Sequence, residues 1–142
     1  MCGLVGAVWR EGEDRPLLRA MTDRLRHRGP DDGACWFSDA VGFGFRRLSI
    51  IDPEHGRQPV LGEGGDAVAV CNGEIYDHVT HRERLASLGR RFASGSDAEV
   101  VPHLHQLLGA DFPSALHGKF ALASYDRSRR QLVLARDRLG VK

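Results

Sequence analysis

The sequence predicts an α+β fold, with sheets packed between helices. Two observations carry this. Strand-like runs arrive in successive groups separated by one or two helices, without the strict βαβα alternation of a doubly wound parallel sheet. The chain has 142 residues, 42% apolar and 27% charged, which suits one globular domain with its own core.

The elements follow in chain order. Residues 3–9 (GLVGAVW) form a short apolar run with β-branched and aromatic members, and predict a buried strand starting almost at the terminus. Pro16 suits the first turn of a helix over 16–26, whose apolar face would carry Leu17, Leu18, Met21 and Leu25. RHRGPDDG at 26–33 is turn chemistry. Strands are predicted at 34–38 and 41–51, the second containing Gly42 and Gly44. Residues 52–66, rich in Gly and Pro, read as a long irregular connection with a hairpin tip. AVAVC at 67–71 is a continuous apolar run, hence a strand buried on both faces. A helix is predicted over 78–88. Another begins near Ser96, an N-cap residue type with Glu99 three positions on, as in a capping box. Pro102 lies inside that helix, where it would remove a hydrogen bond and cause a kink. Strands at 119–126 and 131–136 close the chain as a hairpin.

Composition excludes several classes. Twenty Lys plus Arg against 19 Asp plus Glu leave a net charge of +1, which argues against a nucleic-acid or anionic-membrane binder. The cluster Arg24, Arg26, His27 and Arg28 reads as a helix end entering a loop. Three Cys are too few for a disulfide framework, and no CxxC pair suggests zinc. Cys35 and Cys71 sit in apolar runs and read as core thiols. The pairs His78/His81 and His103/His105 lack a third ligand at recognisable spacing, so they read as surface or partly buried histidines rather than a metal site. Neither a secretory signal nor a membrane-spanning apolar run is present, so a soluble cytoplasmic protein is expected. Gly is in excess, at 17 residues against an average of roughly 7%, so close backbone approaches or tight turns must exist.

Cys2 is the most informative residue. A small residue after the initiator permits Met removal, and Cys2 would then carry a free α-amino group able to serve as base for its own thiol. In NGEIYD at 72–77, directly after the predicted strand, Asn72 offers an amide donor. Gly73 offers a backbone N–H with no Cβ in the way, so the two could form an oxyanion hole. Glu74 and Asp97 suit a ligand ammonium, and Arg47 in RRLSII suits a carboxylate. Each alone has a plainer reading as a frayed end, a turn, a solvated charge or an exposed strand-edge Arg.

Together they reach a family. MCG at the start, RHRGPDDG at 26–33, RLSIID at 47–52, NGEIYDH at 72–78 and GSDAEV at 95–100 resemble, in that order, the glutaminase domain of asparagine synthetase. That is a class II glutamine amidotransferase domain of the N-terminal nucleophile hydrolase superfamily. GKFALASYD at 118–126 and LARDRLGVK at 134–142 are similar to it as well. The resemblance implies a four-layer αββα sandwich. It implies that Cys2 attacks the side-chain amide of L-glutamine, with Asn72 and the Gly73 N–H stabilising the oxyanion. Arg47 would bind the α-carboxylate, Leu48, Ser49, Ile50 and Ile51 would line the pocket, and Glu74 and Asp97 would recognise the α-amino group. No cofactor or metal is implied for this domain.

Where the sequence departs from the family pattern, Phe45 stands where many relatives carry His, Asp77 replaces a more usual Asn, and Pro102 is unexpected. The SGGxDS loop of a synthetase domain does not occur, and the chain stops at LGVK where relatives continue into PLYY. The expectation is an amidotransferase domain over 1–142, truncated near its C-terminus, with ATP and Mg needed only by a synthetase domain not in this chain. That domain would act in cis or in trans, and the resemblance admits a homodimer of the full-length protein. The competing readings are a non-catalytic regulatory or partner-binding module, and an N-terminal nucleophile hydrolase acting on another amide. The Arg47, Glu74 and Asp97 trio speaks against the second, because those charges suit an α-amino acid.

Overall fold

The computed structural model describes residues 2–38, 40–48 and 57–142. The chain divides into two compact units, Met1–Pro59 and Val60–Lys142. Each holds one antiparallel sheet with helices, so the α+β expectation is met. No helix among the described residues is long and apolar enough to cross a membrane.

The first unit contains β1 (Gly3–Val8), α1 (Arg15–Arg24), β2 (Asp32–Phe37) and β3 (Val41–Arg47), with β3 central in the order β1-β3-β2. Gly3 pairs with Arg46, and Asp32 with Arg47. The Asp14 side chain caps α1 by accepting the Leu17 amide at 2.9 Å, and Pro16 lies in the first turn as expected. The buried face of α1 differs from the expectation. Leu18 and Thr22 face inward, whereas Leu17 is exposed. Thr22 can be buried because its hydroxyl donates to the Leu18 carbonyl at 2.7 Å. It also lies so close to β3 that a Cβ on Gly44 would overlap its Oγ1. The glycine inside the strand therefore marks where α1 crosses. Phe43 and Phe45 fill the core beside it. Of the strand predicted to residue 51, the part from residue 49 on lies outside the described residues.

The second unit contains β4 (Val60–Leu61), β5 (Ala67–Ile75), α2 (His78–Ser87), α3 (Val100–Leu108), β6 (Gly118–Asp126) and β7 (Gln131–Arg136), in the sheet order β4-β5-β6-β7. Short 3₁₀ turns occupy Glu63–Gly65, Asp97–Glu99 and Gly109–Ala115. β4 falls inside the connection expected to be irregular. Residues 67–71 are buried throughout, as a continuous apolar run requires. The strand does not end there, however. β6 offers a partner to every residue up to Ile75, which pairs with Gly118, so 72–75 stay in the ladder instead of leaving it.

Pro102 also departs from expectation. α3 begins at Val100, so Pro102 sits in the first turn, where its missing N–H has no intrahelical acceptor to lose and no kink is called for. The capping box is not made either. Ser96 caps nothing with its side chain, and the Glu99 carboxylate reaches back to Ala93 and Ser94. His103 and His105, expected at or near the surface, are buried on α3. His105 bonds Ser124 Oγ at 2.8 Å and Gln131 Oε1 at 3.2 Å, which satisfies both ring nitrogens. Leu85, Val100, Val101, Leu104 and Phe112 complete this core. Burying each such side chain contributes about 1.5–3 kcal/mol.

Two outcomes follow from this packing. Gly44→Ala should cost about 1–3 kcal/mol by overpacking, read as a lower urea midpoint, with Thr22→Ala in the same chain recovering part of the loss. Burial holds both the His103 and His105 imidazoles below their ordinary pKa. The unfolded chain therefore binds more protons below about pH 6.5. Stability, read as the urea midpoint from pH 7.5 downward, should fall as pH drops through that value toward the lowered folded values. A flat profile would contradict the burial.

Candidate active site

Cys2 stands immediately before β1. Its thiol lies between the two backbone groups of Leu48, accepting from the amide at 3.5 Å and donating to the carbonyl at 3.7 Å. Its own carbonyl accepts from Arg28 Nε at 3.3 Å. The chain end is thus held on three sides: by β1 pairing on β3, by Leu48 just past β3, and by Arg28 after α1. Termini ordinarily fray, and these contacts oppose that. The sequence places Arg28 in a helix end entering a turn and assigns it no role, whereas the fold sets it on the Cys2 carbonyl. The available signal was the unusual density of Arg beside a tight Gly-Pro turn.

Arg47 ends β3 and is 6% exposed. The plainer expectation of an exposed strand-edge Arg is therefore wrong, because β3 is the central strand of its sheet. Leu48 is half-buried beside it, while Ser49, Ile50 and Ile51 lie outside the described residues.

In the second unit, Asn72, Gly73 and Glu74 are consecutive residues of β5. Gly73 has φ +155, and a Cβ there would overlap the Lys119 carbonyl oxygen and lie 2.6 Å from Phe120 Cα. Only Gly lets β6 pass at this distance. Glu74 pairs in register with Lys119, and its Oε2 lies 3.2 Å from Lys119 Nζ. The hydrogen bond that Lys119 donates to the Glu74 carboxylate holds the Lys119 ammonium above its ordinary pKa. The pair is largely solvated, so it is a weak one. Asp97 is 8% exposed, and its Oδ2 accepts the Ile75 amide at 2.7 Å. One hydrogen bond thereby ties the 3₁₀ turn to the end of β5, next to Glu74.

Asp77 has structural partners instead. Asp77 Oδ2 accepts from His81 Nε2 at 3.1 Å and His117 Nδ1 at 3.0 Å, joining the start of α2 to the approach to β6. Partial burial pushes the Asp77 carboxyl up, but the His117 hydrogen bonds and the His81 charge outweigh it, and its pKa lies below the ordinary value. Cys71 is buried on β5, and Cys35 is half-buried with its sulfur 3.4 Å from Thr22 Oγ1. Among the described residues no group of three His, Cys, Asp or Glu could hold a metal ion.

The close approach at Gly73 has a measurable consequence. Gly73→Ala should lower stability by about 3 kcal/mol or more, read by urea unfolding, because the obstacle is backbone of β6 rather than a movable side chain.

Comparison with known proteins places this geometry. The glutamine amidotransferase domain family matches residues 1–142. A glutamine-hydrolysing asparagine synthetase of Bacillus subtilis (strain 168), its number 2, is 41% identical over 148 residues, covering 100% of this chain and 19% of the relative. An amidase of Gibberella zeae is 40% identical over 157 residues, covering 100% of this chain and 23% of its own. Asparagine synthetase 2 of Arabidopsis thaliana is 36% identical over 144 residues, covering 99% and 25%. The chain therefore spans about a fifth to a quarter of the length of these relatives. The same fold is found in glutamine phosphoribosylpyrophosphate amidotransferase from B. subtilis, solved with ADP and GMP, at a TM-score of 0.74 and 18% identity over 98% of this chain and 38% of that one. It is found again in the allosteric regulatory enzyme of purine biosynthesis, at a TM-score of 0.77 and 18% identity, with the same coverage. Matched from end to end, with its cysteine at position 2 and its motifs in order, the chain belongs to the glutamine amidotransferase domain family.

Proposed function

We propose that this chain hydrolyses the side-chain amide of L-glutamine, using Cys2 as nucleophile. The observation that carries the reading is the family match over the whole chain, with Cys at position 2 and its thiol held by the Leu48 backbone. Once Met1 is removed, the Cys2 α-amino group takes the thiol proton. The thiolate attacks the amide carbon, and the charge that develops on the carbonyl oxygen is met by the Asn72 side-chain amide and the Gly73 N–H. The proton passes to the departing ammonia. Water then cleaves the γ-glutamyl thioester to glutamate and restores the thiol.

Recognition of the amino-acid end follows from charge. Arg47 binds the α-carboxylate, with Leu48, Ser49, Ile50 and Ile51 lining the pocket. Glu74 and Asp97 bind the α-ammonium. With Oδ2 of Asp97 on the Ile75 amide, Oδ1 is the oxygen offered to the ligand. This half-reaction needs no cofactor. The ammonia would feed an ATP- and Mg-dependent synthetase domain, in cis or in trans, that amidates asparagine's precursor or a related acid. The much greater length of the relatives supports that assignment. Assembly as a homodimer of the full-length protein belongs to the same proposal. A cytoplasmic setting suits it, since a nucleophilic thiol must stay reduced.

The test is glutamate release from glutamine by purified protein whose intact mass shows Met1 removed. The wild-type chain should turn over and Cys2→Ala should fall below detection. Hydrolysis persisting in Cys2→Ala would overturn the mechanism, and an inactive Met-processed wild type would favour a non-catalytic module.

A further inference from the structure

The loop between α2 and the Asp97–Glu99 turn is fixed by a buried charge network that hydrolysis itself does not use. Glu99 is 3% exposed. Its Oε1 accepts the Ala93 amide at 2.6 Å, and its Oε2 accepts the Ser94 amide at 2.9 Å and the Ser94 hydroxyl at 2.6 Å. Arg82, on α2, donates to the carbonyls of Ser94 and Ser96, the latter at 3.2 Å. Its guanidinium lies 3.8 Å from Glu99 Oε2 and 4.1 Å over the Phe92 ring, which in turn packs on His103 at 4.7 Å. Ser94 Oγ also accepts the Ser96 amide at 3.2 Å. Residues 92–96 are thereby bound at nearly every position, directly before Asp97.

A buried ion pair is a poor device for stability alone, since apolar side chains of the same volume often serve as well. What it does supply is a defined geometry. A carboxylate that accepts three hydrogen bonds from two successive residues fixes the path of the backbone there. The residue at the end of that path is Asp97, tied by its Oδ2 to the end of β5. We infer that Glu99 and Arg82 are positioning residues for Asp97, holding loop 92–96 so that the Asp97 carboxylate meets the α-ammonium of the substrate. This rests on the glutamine reading above, because it assigns Asp97 that ligand.

The experiment separates positioning from bulk stability by using two ligands. L-glutamine carries the α-ammonium; glutaramate is the same molecule without it. Binding is measured by calorimetry on the full chain carrying Cys2→Ala, so turnover does not intervene. Glu99→Gln should weaken glutamine about tenfold, the effect of losing hydrogen bonds to a charged group. It should leave glutaramate within about twofold, and Arg82→Lys should give a smaller loss of the same selective kind. Asp97→Asn should weaken glutamine by a similar factor, and combining it with Glu99→Gln should add little. Should Glu99→Gln fail to fold, Ser94→Ala removes one arm of the network and carries the same test. Equal weakening of both ligands, or unchanged glutamine affinity in folded variants, overturns the inference. If instead Asp97→Asn binds glutamine like its parent, the ligand reading of Asp97 fails, whatever Glu99 does.

Discussion

Within the second unit, every candidate feature depends on how closely β6 runs beside β5. The two strands pair from Ala67 opposite Asp126 to Ile75 opposite Gly118, and at Gly73 the backbone of β6 leaves no room for a side chain. Because the ladder is unbroken there, Asn72 and Glu74 share one face of the sheet, on either side of a residue that has only backbone to offer. The Ile75 amide lies at the end of the same ladder and is the donor that Asp97 accepts. At Asn72 and Glu74 the pairing with β6 holds the backbone in place, which a loop could not do.

The first unit solves a different problem, which is to order a chain terminus. Cys2 gains rigidity from backbone groups rather than from a large side-chain contact. Strand pairing secures Gly3, Leu48 brackets the thiol and Arg28 holds the carbonyl. The tight packing of α1 on β3 at Gly44 is part of the same arrangement, since Arg28 and the loop bearing it follow that helix. In both units glycines mark places where two backbones, or a helix and a strand, approach too closely for a Cβ. That accounts for part of the glycine excess.

Local signals were legible wherever local physics decides. Pro16 lies in the first turn of α1, AVAVC forms a fully buried strand, and the last hairpin turns at residues 127–130. Signals failed where a distant partner decided. The extension of β5 through Ile75 needs β6, which lies some forty residues on. The burial of His105 needs Ser124 and Gln131 to accept or donate to its ring. The Ser96–Glu99 spacing does match a capping box, yet Glu99 finds better donors at Ala93 and Ser94 and an Arg beside them. At Pro102 the α-helix starts a few residues later than its sequence signals suggest, and that shift turns an expected kink into a tolerated first-turn proline.

By itself, then, the sequence determined the fold class, the family and the residue types available for chemistry, because ordered motifs and apolar periodicity are properties of neighbouring residues. Tertiary structure alone decided which of those residues are buried and what each is paired with. It buried Arg47 in a central strand, set Glu74 against Lys119, and turned Glu99 from a helix cap into the anchor of the loop before Asp97. The physical reason is that a charged or polar side chain takes its environment from whatever the fold brings beside it, and those partners are remote in the chain.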